Sequence, residues 1–182
     1  HGTWAESDRS ALQDMQARRL VAAKSGQAIP ENGDPGPLST RTPKVQAALE
    51  ALFADRFGDS ELSVLKEGFR SANPGQMKES LTGRMMSSLS GLLKEKRSLS
   101  ESEIDQLKGA DFHALLFEKL RAKEQVKDDA LQALAVRRAE HALEKMKAAG
   151  APETRIRRGA SEKSETAGRD IPLKFELAKA AS

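Results

Sequence analysis

Leu134-Ala135-Val136-Arg137-Arg138-Ala139 opens the stretch on which the fold turns. It runs on through Gly150-Ala151-Pro152 and Arg155-Ile156-Arg157-Arg158 to Ile171-Pro172-Leu173-Lys174-Phe175-Glu176-Leu177. Leu131, Leu134, Ala135, Ala139, Ala142, Leu143 and Met146 recur at helical spacing and predict a helix from about Asp128 to Ala149. Its many alanines let a neighbouring element come close. Gly150 ends it, and the period then changes. Ile171, Leu173, Phe175 and Leu177 share one face while Pro172, Lys174 and Glu176 share the other, the alternation of a half-buried strand. Pro172 has no N–H to give, so it belongs at a strand start or on an edge. Arg155–Arg158 reads as a first, basic strand, and Gly159–Arg169 as a long hairpin loop. Two strands alone are marginal in water. They must lean on a helix or complete a sheet whose other strands lie outside the chain.

Upstream the pattern is helical. Ser7 to Lys24 carries Leu12, Met15, Arg19, Leu20 and Ala23 near one stripe, with Asp8 and Asp14 toward its N-terminal half. Ser25 to Thr42 holds Gly26, Pro30, Gly33, Pro35, Gly36 and Pro37, which propagate neither helix nor ladder. Thr42-Pro43 starts the second helix as cap and first residue. Val45, Leu49, Leu52, Phe53 and Phe57 form its apolar face, and Gly58 closes it. A third helix, Ser60 to Ser71, buries Leu62, Leu65 and Phe69. Asn73-Pro74-Gly75-Gln76 has the form of a further start, followed by Met77, Leu81, Met85, Leu89, Leu92 and Leu93 in a long helix to about Lys96. Ser100-Glu101-Ser102-Glu103 is a capping box for a short helix through Ile104 and Leu107. Gly109 breaks that helix, and Asp111 caps the next, which carries Phe112, Leu115, Leu116, Phe117 and Leu120 inside.

The fold class expected is α+β and mainly α: a helical bundle of about six to seven helices followed by a C-terminal two-stranded antiparallel β element. Residues 1–24 form an N-terminal helical arm, 25–42 a flexible linker, 43–125 a helical region, and 126–182 a helix plus β-hairpin. Hydrophobic residues are 38% and aromatics 4% of the 182, with no Tyr, so the core is aliphatic and modest in size. Thirty basic and 27 acidic residues alternate along most of the chain, as on a solvated helical surface rather than a nucleic-acid face. The absence of cysteine excludes disulfides and thiolate chemistry. No apolar run approaches the roughly 20 residues that span a bilayer, and no signal peptide is evident. The opening His1-Gly2-Thr3-Trp4 without Met reads as the start of a piece of something longer.

Few residues offer chemistry. Glu140, His141 and Glu144 share part of a helical surface, but no HExxH pattern and no further ligand group accompany them, so no metal or cofactor is expected. Ser63-Val64-Leu65-Lys66 matches the S-x-x-K pattern of penicillin-recognising serine enzymes, without the companion Ser-Asp-Asn and Lys-Thr-Gly motifs. Met77, Met85, Met86 and Met146 stand at helical spacing, as core filler does. The densest positive charge is Arg137 and Arg138 with Arg155, Arg157 and Arg158. These five are the candidate contacts for a ligand or phosphate, a lipid headgroup included. No aromatic platform accompanies them, which argues against single-stranded nucleic acid. A strand edge protected by its charges is the other reading.

Leu134 to Ala139, then Leu143, Gly150-Ala151-Pro152, Arg155-Ile156 and the closing strand resemble the second half of OmpA-like peptidoglycan-binding domains. Arg138 stands at that family's motif arginine. Leu131 stands where the family has Asn. Lys127-Asp128-Asp129 replaces the Thr-Asp strand end that carries the family's ligand-binding Asp. Over more of the chain the sequence resembles the C-terminal region of very large AsmA-like envelope proteins of Gram-negative bacteria, a branch described only as a domain of unknown function. Asp8-Arg9-Ser10-Ala11-Leu12, Ala133-Leu134-Ala135 with Arg138-Ala139, Gly150-Ala151-Pro152, Arg155-Ile156 and the last strand carry that resemblance. It implies a non-catalytic structural or interaction region in the periplasm, within a parent anchored to the inner membrane and linked to envelope integrity and lipid transport. The implied partner is the parent's upstream β-rich region or another envelope protein. The alternatives are an OmpA-like binder of peptidoglycan peptide and, more remotely, a serine hydrolase built on Ser63 and Lys66.

Overall fold

The computed structural model describes residues 1–30, 33–74, 99–165 and 173. Among them are six α-helices: α1 (Glu6–Ser25), α2 (Pro43–Phe57), α3 (Asp59–Ala72), α4 (Glu101–Leu107), α5 (Phe112–Lys123) and α6 (Asp128–Ala148). Two short strands, β1 (Thr3–Trp4) and β2 (Glu162–Lys163), form a two-stranded sheet. No helix among the described residues is long and apolar enough to cross a membrane. The chain divides into two compact units, one of His1–Gln16 with Glu124–Ser182 and one of Ala17–Lys123.

The secondary structure described in the second unit is all helical. Thr42 is extended and Pro43 takes the first turn of α2, where its missing N–H is no loss. Gly58, at φ +95°, turns the chain directly from α2 into α3. Ser100 and Glu103 make the reciprocal capping box that starts α4. Asp111 caps α5, its Oδ1 accepting from the amides of His113 (2.9 Å) and Ala114 (3.1 Å). The core joins Val45, Leu49 and Phe53 of α2, Leu62, Leu65 and Phe69 of α3, and Phe112, Leu116 and Leu120 of α5. Each such side chain contributes about 1.5–3 kcal/mol on burial.

Asn73 lies in that unit too, and it closes α3. Its Nδ2 donates to the carbonyls of Phe69 (3.2 Å) and Leu107 (2.7 Å), and its Oδ1 accepts from the Gly109 amide (2.7 Å). The side chain thus serves orphan backbone groups at the ends of two helices, α3 and α4. The helix expected from Met77 to Lys96 lies outside the described residues. In the segment between α1 and α2, Arg18 pairs with Asp34 and donates to the Gly36 carbonyl (2.8 Å), while Thr40 donates to Asp111 (3.0 Å).

On α1 the buried stripe is Leu12, Ala17, Val21 and Ala22, with Met15 half-buried. Leu20 and Ala23, expected on that stripe, are exposed.

The β element differs from the expectation in three ways. It is parallel, not antiparallel, with Thr3 opposite Glu162 and Trp4 opposite Lys163. One strand comes from the N-terminal segment. The other falls in the stretch read as a hairpin loop. Arg155–Arg158 is not a strand: Pro152 leads into a 3-10 turn, Glu153–Arg155, and the next residues make no ladder. The physical reason lies at Gly2. A Cβ there would strike the Ala135 carbonyl oxygen of α6, so only glycine lets the chain pass close over the alanine face. Of the strand expected over Ile171–Leu177, all but Leu173 lies outside the described residues.

Candidate functional site

The unit formed by the chain's two ends is organised around Arg138. Its α6 buries Leu131, Ala135 and Ala139. Leu131 and Ala135 pack with Trp4, Leu12 and Val126, and the half-buried Met15, Ala130 and Leu134 extend the cluster. The Trp4 ring is covered from outside by the Lys163 ammonium, 5.2 Å from its centroid.

Arg138 reaches from α6 to the start of α1. Its Nη2 donates to Asp8 Oδ1 at 2.6 Å and its Nη1 to Asp8 Oδ2 at 2.8 Å, the side-by-side geometry of a guanidinium on a carboxylate. Nη1 also donates to the Thr3 carbonyl at 3.2 Å. The Ala5 amide donates to Asp8 Oδ2 at 2.9 Å, so Asp8 closes the first turn of α1 from inside. The Asp8 side chain is 6% exposed and that of Arg138 32%. Burial pushes the Asp8 carboxyl up. The hydrogen bonds from Arg138 and Ala5 and the charge of Arg138 outweigh it, and the group lies below its ordinary range.

Successive carbonyls of a strand point to opposite edges. Those of Gly2 and Trp4 accept from the amides of Glu162 (3.1 Å) and Ser164 (2.7 Å), which makes the ladder. That of Thr3, on the other edge, is the one Arg138 takes. Further along, Arg9 donates to the Val126 carbonyl and pairs with Asp128 (2.7 Å), and Gln13 donates to the Glu124 carbonyl (3.0 Å).

Within the basic cluster, Arg138 and Arg158 hold different carboxylates. Arg138 is engaged by Asp8 and Thr3. Arg158 pairs with Glu140 at 3.3 Å, both exposed. Arg137 and Arg157 are exposed, and Arg155 ends the 3-10 turn. His141 lies 4.0 Å from Glu144, both well exposed, and no group of three metal-ligating side chains occurs among the described residues.

In the other unit Ser63 donates to the Asp59 carbonyl (2.8 Å). Lys66 is bound by Glu50 Oε2 at 2.6 Å, and Glu50 Oε1 lies 3.1 Å from His113 Nε2. Ser63 and Lys66 thus each have a partner of their own. Burial raises the Glu50 carboxyl, but the bonds from His113 and Lys66 and their charges prevail and hold it below its ordinary range.

Asp8 is the residue that reading the sequence for chemistry missed. Its signal was there: Asp8 stands four before Leu12, which puts the carboxylate on the apolar stripe of the helix. No family model, no characterised protein and no solved structure matches the chain.

Proposed function

We propose that this chain is a non-catalytic interaction region of an AsmA-like envelope protein, and that its short sheet is completed by strands of the parent protein. The observation that carries the reading is the use made of Arg138. A ligand-binding role for the OmpA-like half would call on that side chain, and here it is bidentate on a buried carboxylate of the same unit. Its work is to hold the N-terminal segment on α6. Among the described residues, the segment so held presents a ladder of two residue pairs. A sheet normally needs three or more strands or a covering helix to be stable, so a ladder this short, backed by α6, is suited to be a stub for further strands. Arg137 and Arg157, exposed on the same unit, offer charge to anionic lipid headgroups. Residence in the periplasm is part of the same proposal and follows from the family resemblance alone.

The test is amide hydrogen exchange at Glu162 to Ser164, in this chain alone and in the full-length protein that carries it. Completion of the sheet slows these amides by about tenfold or more in the longer protein. Equal rates in the two would sink the proposal. Purified peptidoglycan retained by the chain, and released by Arg138→Ala, would establish the OmpA-like alternative instead.

A further inference from the structure

Asp8 is the one charged residue that is buried among the described residues. Its carboxylate receives three donors, none of which depends on its own backbone. Two are the parallel N–H groups of Arg138 on α6, and the third is the Ala5 amide ahead of α1. A guanidinium fork with a backbone amide beside it suits any carboxylate, whether carried on a side chain or free. Asp8 itself adds only a methylene and the charged group. Tethering gives it an effective concentration of millimolar or more, which no dilute free acid matches.

We propose that the Arg138 fork and the Ala5 amide form a carboxylate-binding site that Asp8 fills from within the chain. The native protein is thereby closed to small carboxylates. Removal of the Asp8 side chain opens the site to a free monocarboxylate of matching size. Asp8→Ala leaves room for formate beside its methyl group, and Asp8→Gly leaves room for acetate. The inference does not depend on which parent protein carries the chain.

Thermal unfolding of Asp8→Ala in rising sodium formate, with sodium chloride holding ionic strength constant at pH 7, reads this directly. The expected result is a saturable rise in Tm of about 3 °C or more, absent from the native chain and from the Asp8→Ala, Arg138→Gln double variant. A response to formate no larger than to chloride overturns the proposal, as does an equal response without Arg138. If Asp8→Ala is unfolded in buffer, recovery of helical circular dichroism on adding formate becomes the readout. Failure to recover then counts against the site. Acetate acting on Asp8→Gly, with a weaker effect on Asp8→Ala, would fix the size of the opening.

Discussion

Glu50, standing on α2, meets two nitrogen groups of different kinds, the Lys66 ammonium on α3 and the His113 imidazole on α5. One carboxylate thus ties three helices of its unit. Its pKa is depressed on folding, so its contribution is fully present above the unfolded value, near pH 4.3. The contribution is lost as pH falls through the lower folded value. Glu50→Gln is expected to cost about 1 kcal/mol at pH 7, since the site is partly open to water. The gap to the native chain should shrink as pH falls below the unfolded value and the native carboxyl takes up its proton. Urea midpoints at pH 7 and pH 3 check this. A gap that stays constant, or widens in acid, would mean that the charge on Glu50 is not what stabilises the cluster. The sequence made residues of this kind only half legible. Asp111 and Ser100 reveal themselves as caps because capping is local and needs only three or four neighbours in sequence. Glu50 and His113 stand 63 residues apart, and nothing in their own neighbourhoods announces the pair.

Helices were legible for the same reason that caps were: their apolar period is written within one segment. α2, α3 and α5 bury the faces that the spacing of Val45, Leu49, Phe53, Leu62, Leu65, Phe69, Phe112, Leu116 and Leu120 marked. The strands were not legible. β1 is two residues long and owes its place to the fit of Gly2 on α6 and the grip of Arg138, both made with residues more than 130 positions away. The basic run 155–158 has strand-like alternation, but the turn after Pro152 takes up its start. Gly2 is where this element is most vulnerable. In Gly2→Ala the new methyl must lift β1 from the Ala135 carbonyl, at a cost of about 1–3 kcal/mol. The Ser164 amide, bonded to the Trp4 carbonyl, should lose protection in exchange experiments while amides inside α6 keep theirs. Unchanged protection at Ser164 would show that β1 does not need its close seat on the helix.

At the scale of the molecule, the described residues make two apolar clusters, one around Phe53 and Leu116 and one around Leu131 and Trp4. The cluster around Leu131 draws on both ends of the sequence, so it needs a fastener that acts over long separation. Arg138 and Asp8, 130 residues apart, supply it. That fastening is the claim from which the proposed function and the internally filled carboxylate site both proceed. A double-mutant cycle on Asp8→Asn and Arg138→Gln, by urea denaturation at pH 7, measures it without reference to any ligand. If the pair holds the unit together, each single change is strongly destabilising and the two are coupled by about 2 kcal/mol. Single costs that simply add, within about 0.5 kcal/mol, would contradict the account and return Arg138 to the role of a side chain awaiting a ligand.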